Sequence, residues 1–246
     1  QSVAPGGLLS INEMKQWLLQ SKRTQAWDTP VNSVNAVYAF FGGNAESLGA
    51  SKPMAVLKLN GQTLVMPKAT AGMGYVKTAK TGEKMKTLSI EKQTDGTSWG
   101  AVYAQFVQPT ADVSDAAEGM SVVREVLKNG KRIATDGETL AVGDRITVRI
   151  VINADRDYDF VQLADRRAAC LEPLGQLSGY RGDCYCEPKD NATNYYFDRL
   201  SKGKHVVETE YYVDRAGTYQ TGTCTVQCAY SPEFGARTKA VALSVE

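Results

Sequence analysis

The sequence carries almost no net charge and no long apolar run. Its 246 residues include 28 Lys and Arg against 27 Asp and Glu, so the formal net charge is +1. Because proteins that bind nucleic acids or acidic membranes usually carry a clustered basic excess, we expect no nucleic-acid partner. No apolar run approaches the ~18 residues that cross a bilayer, and the first residues lack the basic-then-apolar order of a signal peptide. We therefore expect the chain, as written, to be soluble.

Histidine is scarce as well, since His205 is the only one. Zinc sites commonly draw on several histidines, and a catalytic triad needs three converging groups. The sequence also lacks a phosphate-binding glycine loop, a dinucleotide fingerprint and a nucleophile elbow. We predict no catalytic residue, no cofactor and no metal, so the chain is predicted not to be an enzyme.

Three aspartates alternate along the chain as they do at the start of a calcium-binding loop. They are Asp155, Asp157 and Asp159. An EF-hand loop needs Gly at its sixth position and Glu at its twelfth, where this chain has Phe160 and Arg166. The pattern therefore predicts a polar turn between two strands.

Cysteine is present in an odd number. The five residues are Cys170, Cys184, Cys186, Cys224 and Cys228. Five are too few for a disulfide scaffold but suggest an oxidising compartment, and at least one thiol stays unpaired unless it pairs between chains. Close Cys-x2-Cys pairs are absent, which makes zinc less favoured than disulfides or buried free thiols. If bridges form, we expect them to tie residues 168–194 to the strand predicted over 218–230.

Helical spacing of apolar residues dominates positions 1–50 and predicts an αα-hairpin. A capping box of Ser10 and Glu13 predicts the start of the first helix. The second helix is predicted to start at Thr29 and Pro30 and to end at Gly42-Gly43. The apolar stripes comprise Ile11, Met14, Trp17 and Leu18, then Val31, Val34, Val37, Tyr38 and Phe41. Such a hairpin cannot bury both stripes alone, so it must pack on further helices, on the β region or on a partner.

From residue 51 onward the apolar period is two, which predicts strands. Residues 51–112 are predicted to form a small antiparallel unit with a hairpin at Asn60-Gly61 and a strand over residues 98–107. Residues 108–119 have a linker composition. Residues 113–246 carry about seven strand-like runs, which is typical of a β-sandwich. Within it, residues 168–194 are predicted to be a long irregular loop, a common location of function.

Several runs resemble the C-terminal part of bacterial alpha-2-macroglobulins. Residues 14–27 and 34–38 resemble the closing helices of the thioester-containing helical domain. Further runs resemble the final macroglobulin-like domain of the family, in a form common among Bacteroidetes. They are residues 161–180, 195–200, 202–203 and 217–234. The resemblance implies a mainly β fold: an antiparallel macroglobulin-like (Ig-like) β-sandwich, preceded by a small antiparallel β unit and an N-terminal αα-hairpin. The small unit would be the returning half of a CUB-type domain.

The resemblance also implies a function for a longer parent protein, of which this chain would be a C-terminal fragment. That parent would be an endopeptidase inhibitor and protease trap serving defence at the cell envelope, in the periplasm or as an outer-membrane lipoprotein. Its partners would be target proteases and its own helical domain. No Cys-Gly-Glu-Gln thioester run is present here. By this resemblance, residues 168–194 and the turn at 230–234 would contact the helical domain through Tyr180, Tyr230 and Phe234.

A cell-surface carbohydrate-binding or adhesion module is the alternative function. Its sign would be exposed aromatic rings on one face of a sheet. Tyr195 and Tyr196 are adjacent, as are Tyr211 and Tyr212, so each pair places one ring on each face of its strand. The sequence therefore specifies no aromatic platform.

Overall fold

The computed structural model describes residues 7–41, 55–65, 77–79, 82, 84–93, 100–133 and 138–246, with side chains from residue 11 onward except Asn12. The chain divides into two compact units. The first contains Gln1–Leu19 and Trp27–Tyr103, and the second contains Gln20–Ala26 and Ala104–Glu246. The last turn of the first helix therefore belongs to the same unit as the C-terminal region.

Two helices are present near the N-terminus: α1 over Gly7–Thr24 and α2 over Pro30–Phe41. The predicted start of α1 at Ser10 is wrong, because the helix already begins at Gly7. The predicted start of α2 is confirmed, since the Asn32 amide donates a 3.1 Å hydrogen bond to Thr29 Oγ1. Gly42-Gly43 lies outside the described residues. The described helices are not long and apolar enough to cross a membrane.

The apolar stripes of both helices are largely exposed. The exposed side chains are Ile11, Met14, Trp17, Val31, Val34, Val37 and Tyr38. This agrees with the expectation that the hairpin cannot bury both stripes alone.

A small antiparallel sheet follows in the order β2-β1-β3, formed by β1 (Val56–Leu59), β2 (Gln62–Thr63) and β3 (Leu88–Glu91). The predicted Asn60-Gly61 turn is confirmed. Both residues have positive φ, 50° and 83°, as a two-residue hairpin turn requires. The strand predicted over residues 98–107 is wrong, because residues 100–107 form no strand.

The C-terminal region is built from strands, after a 3-10 helix at Thr110–Asp112. The described strands are β4 (Ala116–Glu118), β5 (Met120–Lys128), β6 (Lys131–Arg132), β7 (Thr139–Leu140), β8 (Arg145–Ala154), β9 (Tyr158–Arg166), β10 (Leu171–Pro173), β11 (Gly179–Arg181), β12 (Cys184–Pro188), β13 (Ala192–Leu200), β14 (Gly203–Val213), β15 (Gly217–Gln220), β16 (Cys224–Cys228), β17 (Gly235–Thr238) and β18 (Ala242–Val245).

These strands form a sandwich. A five-stranded sheet has the order β10-β14-β8-β5-β6, and a seven-stranded sheet has the order β11-β12-β13-β9-β16-β17-β4. A three-stranded sheet, β15-β18-β7, completes the region. Alternate residues of β8, among them Ile146, Val148, Ile150 and Ile152, are buried in the core between the sheets. The predicted fold class is confirmed.

Two segments predicted to be irregular contain strands. Within residues 168–194, β10 pairs with the distant β14, and β11 and β12 form a hairpin around Gly182, whose φ is 64°. Residues 108–119 include β4, which pairs with β17. β4, β10 and β11 have three residues each, which is too few for a recognisable period. The partners of β4 and β10 also lie far away in the sequence.

Candidate interdomain contact site

The turn between β8 and β9 uses all three alternating aspartates for contacts within the protein. Asp155 accepts a 2.6 Å hydrogen bond from the Tyr158 hydroxyl, and Asp157 accepts one of 2.8 Å from the Lys202 amide. Asp159 accepts one of 2.5 Å from the Ala26 amide. The predicted polar turn is confirmed. Hydrogen bonds from Arg156 and Arg199 lower the pKa of Asp155 and Asp157 respectively.

Ala26 ends a short stretch, Gln20–Ala26, that lies against the sandwich and is called here the docked segment. The Ser231 hydroxyl donates a 2.6 Å hydrogen bond to the Arg23 carbonyl oxygen. The Arg23 guanidinium forms an ion pair with Glu233 and lies 5.6 Å from the centroid of the Phe234 ring. Thr24 is buried. Main-chain, ionic and cation–π contacts therefore hold the end of α1 on the turn between β16 and β17.

Phe234 is surrounded by groups that fix its ring. The Arg156 guanidinium also lies 5.6 Å from its centroid, and the Tyr158 ring lies at 5.9 Å. A cation over an aromatic face contributes about 0.5–2 kcal/mol, depending on burial. Gly119 makes this packing possible, because a Cβ there would lie 2.2 Å from the Tyr158 hydroxyl oxygen.

Tyr230 projects from the same turn and is 80% exposed. Its ring packs edge-on against Phe160, with 5.4 Å between centroids. Phe160 has a φ of 57°, which is unusual for an aromatic residue and stores backbone strain. The Ala229 amide donates a 2.8 Å hydrogen bond to the Phe160 carbonyl, which helps to hold this conformation.

Tyr180 lies elsewhere. It is on the edge strand β11, four strand intervals from β16 in the seven-stranded sheet. At about 4.8 Å per interval, this separation is roughly 19 Å. The structure therefore brings Tyr230 and Phe234 together but leaves Tyr180 apart, where its ring contacts Tyr185 at 5.3 Å.

All five cysteines are buried and free. Cys184 and Cys186 lie on β12, whereas Cys224 and Cys228 lie on β16, with β13 and β9 between them. Three strand intervals span about 14 Å, well beyond the roughly 7 Å that a disulfide tolerates between Cα atoms. The strand order excludes a bridge between these two pairs, so buried free thiols are the alternative that the structure supports.

Burial raises the pKa of every one of these thiols. The pKa of Cys184 and that of Cys228 are both raised to about 11. A thiol of raised pKa is protonated at neutral pH and is a poor nucleophile and metal ligand. Among the described residues, no three His, Cys, Asp or Glu side chains are placed to hold a metal ion. The single histidine, His205, donates through Nε2 to the Ser201 carbonyl at 2.7 Å.

A buried ion pair joins the two large sheets and was not anticipated from the sequence. Arg124 on β5 donates to Asp165 on β9 at 3.0 Å, to Thr221 at 2.7 Å and to the Gly222 carbonyl at 2.9 Å. Burial raises the pKa of Asp165, and the charge of Arg124 opposes that effect. Arg124 and Asp165 are charged residues within the largely apolar strands β5 and β9.

Comparison with known proteins identifies the domain that carries most of these contacts. Residues 119–233 match the family model for the bacterial alpha-2-macroglobulin MG10 domain. The match covers a little under half of the chain. The prediction that the chain is not an enzyme agrees with this match.

Solved structures of alpha-2-macroglobulins share the fold. Escherichia coli alpha-2-macroglobulin activated by porcine elastase is 17% identical over 92% of this chain and 21% of its own, with a TM-score of 0.54. The Salmonella alpha-2-macroglobulin mutant Y1175G is 20% identical over 56% of this chain and 10% of its own, with a TM-score of 0.50. The chain thus spans about a tenth to a fifth of these proteins. No curated protein sequence matches it.

Proposed function

We propose that the chain is the C-terminal structural and interaction region of a bacterial alpha-2-macroglobulin-type endopeptidase inhibitor, a protease trap of the cell envelope. The MG10 domain at residues 119–233 is the observation that carries this proposal. The similarity in fold over 92% of the chain to an E. coli alpha-2-macroglobulin supports it. Proteases would be targets of the full-length parent, because this chain is a small part of such a molecule.

The parts of the proposed fragment follow the order of the resemblance. Residues 1–50 would end the thioester-type helical domain, residues 51–112 would be the returning half of a CUB-type domain, and residues 113–246 would be the final macroglobulin-like domain. We further propose a Bacteroidetes-type parent, located in the periplasm or in the outer membrane as a lipoprotein. The described order of helices, small sheet and sandwich supports this division.

The docked segment gives the MG10 domain a specific role in this proposal. In the proposed division this segment would belong to the helical domain. Its contacts, however, are with Asp159, Ser231, Glu233 and Phe234 of the C-terminal sandwich. These contacts would restrain the helical domain before proteolysis. Tyr230, 80% exposed on the same turn, would be a further contact for the helical domain of the full-length parent. Tyr180, on the edge strand β11, takes no part in the contacts of the docked segment and stays a predicted contact of the parent's helical domain.

Substitutions at the contact in the full-length parent test this role. Ser231→Ala removes the hydrogen bond to the Arg23 carbonyl, and Phe234→Ala removes the ring that Arg23 covers. Each should speed the rearrangement that follows protease cleavage, by about fivefold for a contact of ~1 kcal/mol. Stopped-flow scattering after protease addition measures the rate.

The control is Tyr212→Ala, which removes a half-exposed ring from the other large sheet. Its rearrangement rate should equal that of the unmodified protein. Equal rates for all the variants, with the fold intact by circular dichroism, would contradict the restraining role.

A further inference from the structure

A row of five uncharged side chains crosses the outer face of the seven-stranded sheet. The strand register aligns Tyr180 with Tyr185, Tyr185 with Tyr196, Tyr196 with Gln162, and Gln162 with Gln227. These five residues are called here the tyrosine row. It arises from cross-strand pairing, so the adjacent tyrosines of the sequence gave no indication of it.

The rings of the row are open to solvent. Tyr180 is 75% exposed, Tyr185 36% and Tyr196 37%. Tyr180 and Tyr185 meet edge to face, with 5.3 Å between centroids and 78° between planes. Gln162 and Gln227 are half-buried. The row thus offers accessible aromatic faces followed by two amide groups.

The chemistry of the row matches an uncharged, hydroxyl-bearing ligand. Aromatic faces pack well against C–H groups, while glutamine amides and tyrosine hydroxyls both donate and accept hydrogen bonds. The adjacent acid, Glu187, is paired with Lys189 at 2.6 Å and accepts a hydrogen bond from the Tyr196 hydroxyl. Asp198 is exposed two residues from Tyr196 on the same face of β13. This carboxylate disfavours a polyanion at the row.

The dimensions of the row match a narrow, extended ligand. Four strand intervals of about 4.8 Å give a length of roughly 19 Å, and the row is one side chain wide. A stable protein interface buries about 800 Å² on each partner, which requires a much broader patch. A sugar chain has apolar C–H faces, a rim of hydroxyl groups and the width of one ring.

We propose that the tyrosine row binds a neutral oligosaccharide. Its rings stack on successive sugars, and Gln162 and Gln227 hydrogen-bond to the hydroxyl groups at one end. This binding site is additional to the proposed protease trap and does not depend on it.

Isothermal titration of the 246-residue chain with a glucose hexasaccharide and with an N-acetylglucosamine hexasaccharide tests the site. We expect at least one of the two to bind. Tyr180→Ala and Tyr185→Ala should each weaken that binding by about tenfold, as expected for the loss of a stacked ring. Tyr185→Phe keeps the ring and should change the affinity by less than about threefold. Tyr212→Ala, a ring of similar exposure on the other large sheet, should have no effect.

Thermal unfolding of each variant verifies that the fold is retained. The proposal is overturned if neither hexasaccharide binds the intact chain, or if folded Tyr180→Ala and Tyr185→Ala variants bind as tightly as the unmodified protein. Binding of heparin alone, or self-association abolished by Tyr180→Ala in the absence of sugar binding, would overturn it as well. None of these results bears on protease trapping, which is measured on the full-length parent.

Discussion

At the scale of single residues, Gly119 occupies a position that no other residue fits. Its φ is +70°, and an added Cβ would lie 2.2 Å from the buried hydroxyl of Tyr158 and 3.1 Å from Phe234. Gly119→Ala should therefore displace the rings that support the docked segment. We expect a loss of about 2–4 kcal/mol in the free energy of unfolding, measured by urea denaturation, since overpacking and backbone strain add.

Gly130 provides the matched control for that substitution. Its φ of +73° is similar, but a Cβ there would meet nothing within 4 Å. Gly130→Ala carries only the backbone strain, of about 1–2 kcal/mol. If both variants lose the same free energy of unfolding, the clash with Tyr158 contributes nothing to the loss in Gly119→Ala.

The buried thiols make a second prediction at this scale. Because burial raises the pKa of Cys184 and Cys228 to about 11, we expect no reaction of the folded chain with a thiol reagent at pH 8. All five thiols should react after unfolding in denaturant without reductant. Fewer than five would reveal a disulfide and contradict the free-thiol assignment.

The same thiols predict how stability depends on pH. A group whose pKa is higher in the folded state stabilises the fold fully below its unfolded pKa, and this contribution is lost as pH rises. The free energy of unfolding should therefore fall between pH 9.0 and about 11, because unfolded thiols ionise first. Cys184→Ala should make this fall smaller. An unchanged dependence of stability on pH in that variant would argue against a raised pKa for Cys184.

At the scale of elements, the ion pair between β5 and β9 fixes the two large sheets to each other. Both side chains are almost fully buried, so removing one leaves an uncompensated charge in the core. Arg124→Met should cost about 3–5 kcal/mol of unfolding free energy. The control is Arg149→Ala, which breaks the exposed pair of β8 with Glu208 and should cost at most about 1 kcal/mol. Similar costs for the two variants in urea denaturation would refute the role assigned to Arg124.

The elements show which signals in the sequence were sufficient. Asn60-Gly61 was sufficient to predict the first hairpin. A two-residue turn between strands needs two positive φ values, and Asn followed by Gly adopts them readily. β8 is readily recognised among the strand-like runs predicted over residues 113–246, since its apolar alternation is continuous. The start of α1 was wrong because a capping box describes a local preference that the surrounding chain can override. β10 was missed because its pairing with β14 is not a local property.

The candidate site was predictable only in part, for the same reason. The sequence singled out Phe234 and Tyr230, which lie at the turn that holds the docked segment. It gave no sign that Asp159 would bind Ala26, 133 residues earlier in the chain. The strained φ of Phe160 and the alignment of the tyrosine row both depend on tertiary pairing, which periodicity does not encode.

At the scale of the whole molecule, the chain combines a β-sandwich that matches the MG10 family model with the docked segment at the end of α1. The proposed trap needs both to act within a much longer protein, since the chain spans only 10–21% of the solved alpha-2-macroglobulins compared with it. Restraint by the docked segment before cleavage, and release afterwards, is the contribution that this region would make to the parent.

Protease occlusion by the full-length parent tests this account most directly. An active protease is mixed with the parent, and its activity is then measured on a protein substrate and on a short peptide substrate. The account predicts that activity on the protein substrate is lost while activity on the peptide is retained, and that the 246-residue chain alone inhibits neither. Retention of full activity on the protein substrate by every protease tested would contradict it.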